Sequence, residues 1–279
     1  MSKLNLISFS LFGDEDIYLY GAISNAKITK EIYPTYTSRF YVDSRVRSSV
    51  ISDLKKQGAE IEIRFAKNKF DGLFWRFEPL IDKNVSRWIS RDCDSRINYR
   101  EASAVKEWEG FIDREKKNRG RALHVMRDAF NHSYPIMAGM FGIDNSKINL
   151  AIKLKYICSD KRGFTRESDQ NYLTDNLWRW LKKDALIHDH WKFSKPNTNI
   201  KISASDRITP QDAFGCGLTT YLESERTLRH PELFPIHSIV RPFPNHISDS
   251  FSCYVGAQFD TSDILVNTTE SRWELQLRN

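Results

Sequence analysis

Cysteine is scarce and scattered: four in 279 residues, Cys93, Cys158, Cys216 and Cys253, with no CxxC pair. That spacing argues against a zinc knuckle and a disulfide scaffold, and reads as reduced thiols in a cytosolic protein. Long apolar runs are lacking too. The longest, 134–143, contains Pro135, Gly139 and Gly142 and is about half of the ~18–20 residues that cross a bilayer. Residues 4–12 are apolar but are interrupted by Asn5, Ser8 and Ser10 and followed at once by the acidic 14–16. They make a poor signal peptide and a good first β-strand. A strong charge imbalance is also missing, with 42 Lys and Arg against 36 Asp and Glu, net +6. So mild an excess suits nucleic acid, an anionic membrane surface or a small phosphorylated substrate, and decides among none of them. The densest basic cluster, REKKNRGR at 114–121, reads as a solvated helix end and loop.

What is present is apolar and aromatic: 40% hydrophobic and 13% Phe, Trp and Tyr, enough for a folded chain with a sizeable core. Strand patterns occupy 4–10, 38–43, 60–65, 85–90 and 122–126, and helical patterns 18–33, 46–57, 73–80 and 99–115. Strands alternating with helices across short connections predict βαβ units and a mainly parallel sheet. Beyond 150 the pattern loosens. A helix is expected around 147–158 and an amphipathic one over 170–183, with Tyr172, Leu173, Leu177, Trp180 and Leu181 as its apolar stripe. From 196 to 244 the chain is rich in Ser, Thr, Asn and Pro. We expect an α/β core over 1–195 and a loop-rich extension over 196–279 on the acceptor side or as a lid, within one domain.

The sharpest local feature is RDCDSR at 91–96. Asp92 and Asp94 fall where the strand over 85–90 ends, and ligands of parallel sheets bind outside the carboxyl ends of strands. At positions i and i+2 both carboxylates reach one face. Hard oxygen ligands favour Mn²⁺ or Mg²⁺, whose remaining positions substrate phosphates can fill. The competing reading is an exposed acidic turn paired with Arg91 and Arg96. Arg76 stands in an apolar stretch, where a cation needs a partner. Glu78 and Asp82 are the partners nearest in sequence.

Six stretches carry a resemblance: 8–34 (SFSLFGDEDIYLYGAISNAKITKEIYP), 40–46 (FYVDSRV), 73–80 (LFWRFEPL), 91–101 (RDCDSRINYRE), 124–142 (HVMRDAFNHSYPIMAGMFG) and 168–173 (SDQNYL). In order and spacing they resemble the GT-A nucleotide-sugar glycosyltransferases, and within these a bacterial and viral group of polysaccharide or lipopolysaccharide glycosyltransferase-like proteins. The likeness covers about 4–190 plus VGAQFD at 255–260; 197–239 matches nothing in that group.

The resemblance implies a GT-A sheet, a nucleoside-diphosphate sugar donor (a UDP-sugar favoured) and a glycan or lipid-linked acceptor. Ser8 and Phe9 would border the base and ribose, with a core role for Phe9 as the alternative. Arg76 would touch the sugar-phosphate, a task that suits a bidentate guanidinium. Ala138 and Gly139 would form a small-residue strand that the donor sugar approaches. Asp128 would hold a sugar hydroxyl, a salt bridge to Arg127 or Arg121 being its alternative. Asp169 and Gln170 would lie under the anomeric carbon, although Asp169 also suits a helix N-cap. His188 would be the third metal ligand, with Asp189 and His190 as rivals. Gln170 in place of a carboxylate base implies retention of configuration; Asp128 as general base would imply inversion. The competing classes are a basic nucleic-acid-binding or phosphoryl-transfer protein, disfavoured because the basic residues form no aromatic-lined stripe, and a sugar-binding relative without turnover. A cytoplasmic setting is expected, with peripheral contact to the inner membrane leaflet through basic loops as a further option.

Overall fold

The computed structural model describes residues 3–97, 99–114, 122–127, 134–149, 152–153, 165–189, 199–200, 264–267 and 274–277. Strand β1 (Leu4–Leu11) sits inside the sheet, with β2 (Thr37–Asp43) parallel on one side and β4 (Val85–Arg91) parallel on the other. Its residues alternate. Ile7, Phe9 and Leu11 join the apolar layer under helices α1 (Asp16–Ile32), α2 (Ser48–Lys56) and α3 (Tyr99–Arg114). Leu6 faces the opposite layer, built by Phe74, Phe77, Leu80, Trp88, Phe141, Leu173 and Leu177, so Ser8 and Ser10 share that second face.

The sheet order is β3-β2-β1-β4-β6-β5-β7-β8, where β3 is Glu60–Arg64, β5 Leu123–Arg127, β6 Met140–Asp144, β7 Ala185–Asp189 and β8 Asn199–Ile200. All neighbours are parallel except β6, which runs antiparallel to both β4 and β5. This is the mainly parallel, helix-flanked Rossmann-like sheet that the alternating pattern predicts. The reversed β6 was not foreseen, because alternation along a strand reads the same in either direction. The chain turns from β1 towards β2 and β3 on one side and returns as β4 on the other, so the β1/β4 boundary is a switch point with a crevice at its carboxyl end.

Two helical segments depart from the expected geometry. Asp71–Leu80 is a 3₁₀ helix of ten residues, where such helices seldom exceed a turn or so. Its apolar side chains explain the choice: Phe74, Phe77 and Leu80 recur every third residue and are all buried, matching a three-residue turn. Helix α4 begins as Ser168–Tyr172, widens into a π-helical stretch Leu173–Trp178 and closes with Arg179–Leu181. A separate hairpin pairs β9 (Ile264–Asn267) with β10 (Glu274–Leu277). Most of the helix expected over 147–158, and nearly all of the extension expected over 196–279, lie outside the described residues. Among the described residues no helix is long and apolar enough to cross a membrane.

Candidate functional site

The crevice between β1 and β4 is organised around Arg76. Two serines of β1 grip its main chain: Ser10 Oγ accepts from the Arg76 N–H at 2.9 Å, and the Ser8 hydroxyl donates to the Arg76 carbonyl at 2.7 Å. The side chain is buried, and its guanidinium forks between two carboxylates. Nη1 pairs with Asp92 Oδ1, and Nη2 pairs with Asp169 Oδ2 at 2.8 Å. Burial works against the charge of Arg76, but Asp92 and Asp169 outweigh it and its pKa lies above the ordinary value. Neither Glu78 nor Asp82, the neighbours in sequence, is its partner. Glu78 pairs with Arg64 and Asp82 with Arg39.

Asp169, at the start of α4, is almost fully enclosed, and burial raises its carboxyl pKa while Arg76 pulls it back. The expected N-cap role is not the one found: its side chain reaches Arg76 and its own neighbour's N–H at Gln170. Gln170 Oε1 accepts from the Ala138 N–H at 3.2 Å, tying α4 to the turn before β6. Ala138 and Gly139 lie in that turn rather than in a strand, because β6 starts only at Met140. A Cβ at Gly139 would overlap the Asp92 carboxylate, so a larger residue there would have to push that carboxylate aside. The Gly139 carbonyl is held by Arg91 Nη1 at 2.7 Å, and Arg91 in turn forms a fully buried pair with Glu101 of α3 at 2.8 Å. Arg91 is therefore a brace, not the partner of an exposed acidic turn.

Asp94 lies close enough to Asp92 for the two charges to interact. Burial first, then the Asp92 charge, push its carboxyl up to about 6. Half-buried Tyr18, from the first turn of α1, shares this environment. Burial and the carboxylates of Asp94, Glu15 and Asp92 push its hydroxyl up to about 12. Between the aspartates, the Cys93 thiol donates to the Ser10 carbonyl at 3.3 Å and is kept protonated by burial.

Two carboxylates that repel each other are a donor set suited to a hard divalent cation that fills its other positions with water and phosphate oxygens. The third ligand expected at His188 is not brought to them. His188 Nε2 lies 3.0 Å from Glu107 Oε2 and its Nδ1 lies 2.9 Å from His124 Nε2. With Nε2–H donating to the carboxylate and Nδ1 accepting from His124, no lone pair is left for a metal. Among the described residues no three His, Cys, Asp or Glu side chains converge as a ligand set.

Phe9 also departs from expectation. Its ring is fully buried and stacked on Phe40, with centroids 4.5 Å apart, so it is unavailable to a base; the alternation of β1 instead presents Ser8 and Ser10. Asp128 and His190 lie outside the described residues. Arg76, Asp92, Asp169, Gln170, Ala138, Gly139 and Ser8 are thus brought together, while Phe9 and His188 are not. Ser10, Tyr18 and the buried Asn25 escaped the sequence reading. Only Ser10 left a signal, as the second polar residue on the Ser8 face.

No protein-family profile matches the chain, and no curated protein matches it. Among solved structures it is similar to a glycosyltransferase involved in glycosylation of the major capsid of PBCV-1, at 17% identity, TM-score 0.43, covering 68% of this chain and 82% of that one. It is also similar to a 4-diphosphocytidyl-2C-methyl-D-erythritol synthase from Anaerococcus prevotii, at 14% identity and TM-score 0.42, covering 74% and 92%. A third is the galactosyltransferase LgtC in complex with donor and acceptor sugar analogues, at 14% identity and TM-score 0.39, covering 62% and 70%.

Proposed function

We propose that this chain is a metal-dependent glycosyltransferase that moves a sugar from a nucleoside diphosphate, a UDP-sugar favoured, to a hydroxyl of a glycan or lipid-linked acceptor. One observation carries the reading: a buried arginine forked between Asp92 and Asp169 at the switch-point crevice, beside Asp94 and the Gln170–Ala138 contact. Asp92 and Asp94 would hold Mn²⁺ or Mg²⁺, which when bound supplies positive charge for the leaving diphosphate. Arg76 adds a fixed guanidinium beside it, already oriented by its two carboxylates, so no reorganisation is needed as charge develops. Asp169 serves chiefly to hold Arg76 rather than to touch sugar. Gln170, with its oxygen spent on Ala138, keeps an amide donor for a sugar hydroxyl.

A neutral amide at this position is a weak nucleophile and a poor base, so the reading includes retention of the anomeric configuration. The test is a panel of nucleotide sugars with and without Mn²⁺. The matching donor should raise the melting temperature only when the cation is present. Asp92→Asn and Asp94→Asn should each lower transfer roughly 10²–10³-fold or more, the several kcal/mol a bound cation contributes, with circular dichroism unchanged. Full activity in both variants would remove the metal site. An α-linked donor yielding a β-linked product by proton NMR would remove retention.

A further inference from the structure

We infer that Gly21 and Asn25 of α1 form a bracket that sets the position of Asp92 and Asp94, making Asn25 a positioning residue of the cation site. The inference rests on the reading just given for those carboxylates. One helical turn apart, Gly21 and Asn25 lie on the same face of α1, and both are buried beneath the loop that follows β4. Asn25 spends its whole side chain on that loop's main chain. Its amide donates to the Ser95 carbonyl at 2.7 Å and reaches the Asp92 and Cys93 carbonyls at 3.4 Å each. Its oxygen accepts from the Ile97 N–H at 3.3 Å. An amide brings two N–H donors for carbonyls and an oxygen that accepts from an N–H, where a hydroxyl has a single donor.

Gly21 provides the clearance. A Cβ there would overlap the Cys93 carbonyl, which is backbone and cannot swing aside. With the carbonyls of 92, 93 and 95 drawn towards α1, the loop is fixed from beneath. Ser95 Oγ and Arg96 Nη1 add bonds to the Asp92 and Cys93 carbonyls at 3.4 and 3.1 Å. The carboxylates of Asp92 and Asp94 are then held by a main chain that has no freedom to re-aim them, as an outer shell holds metal ligands elsewhere.

The experiment titrates Mn²⁺ by electron paramagnetic resonance, without donor, into the wild type, Asn25→Asp, Gly21→Ala and Thr29→Val. Asn25→Asp keeps the shape and the Ile97 acceptor but turns oxygens on three carbonyls; Gly21→Ala lifts the loop. Each should weaken Mn²⁺ about 10–100-fold, the cost of a lost outer-shell partner. Thr29→Val is the control for simple destabilisation. Among the described residues its hydroxyl bonds only the Asn25 carbonyl within the helix, at 2.8 Å, so it should lower the melting temperature and leave Mn²⁺ affinity within about twofold.

Equal Mn²⁺ affinity in the wild type, Asn25→Asp and Gly21→Ala would overturn the bracket and leave the proposed function standing. A wild type that takes no Mn²⁺ would overturn the metal reading instead. The bracket then stands or falls on amide exchange of 92–97, expected about tenfold faster in Asn25→Asp and unchanged if the inference is wrong.

Discussion

Two polar clusters pack against the sheet, and their buried members answer burial in opposite ways. Around Arg76 the groups are charged, the cluster opens through half-exposed Asp92, and burial raises the carboxyl pKa of Asp94 and Asp169. Under α3 the groups form a line from half-exposed Glu107 through buried His188 to buried His124, which is stacked on Trp108. There burial, followed by the neighbouring His188, holds His124 well below its ordinary value of 6.5. The same desolvation protonates an acid and deprotonates a base. The first cluster gathers carboxylates around a guanidinium, while the second joins α3 to the sheet through two imidazoles.

Substitution of Arg76 should break the comparison most severely. Arg76→Ala should cost about 2–4 kcal/mol of transition-state stabilisation, read as a loss in kcat/KM of roughly 30- to 1000-fold. Arg76→Lys should recover part of it, because Lys lacks the planar fork that reaches two carboxylates. An Arg76→Ala enzyme with normal turnover per folded molecule would make the cluster merely structural.

A smaller effect separates the clusters by pH. His124 has a lowered folded pKa, so below pH 6.5 the unfolded chain takes a proton that the folded one refuses. Stability is therefore complete above that pH and falls on acidification, by at most about 1.4 kcal/mol per pH unit. Asp94 acts in the other sense: its raised pKa favours the folded state as pH drops from about 6 towards 3.8. Urea unfolding of wild type against His124→Gln isolates the first contribution. The variant should lack the acid-dependent loss, and parallel curves would refute it.

The smallest expected change is at His188. With both ring nitrogens committed to protein partners, His188→Gln should leave Mn²⁺ affinity within about twofold. A loss of tenfold or more in the same resonance titration would return His188 to the ligand set.

The layers of the sheet were legible in the sequence because β1, β2 and β4 carry dense apolar patterns and are bounded by Gly, Pro or charged turns. The direction of β6 was not, since reversal depends on the turn at 134–139 packing against Asp92, a contact between residues far apart in sequence. The helical character of 71–80 was visible, but its three-residue turn had to be read from Phe74, Phe77 and Leu80 together. Arg76, Asp92 and Gln170 stood out as charges or amides in motif-like settings. Asn25 did not, because a polar residue within an amphipathic helix has nothing local to mark a loop almost seventy residues away as its partner. Phe9 was left open between base and core for the opposite reason: its aromatic character drew attention, although the alternation of Ile7, Phe9 and Leu11 already favoured the core.

The serine grip on Arg76 has a consequence for how this site can diverge. Ser8 and Ser10 bind the main chain of residue 76, not its guanidinium. Location and chemical identity are therefore specified by different parts of the chain. A library that varies residue 76 while keeping both serines should sample new side chains at an unchanged address. Changing the serines would move the address itself, whatever residue stood there.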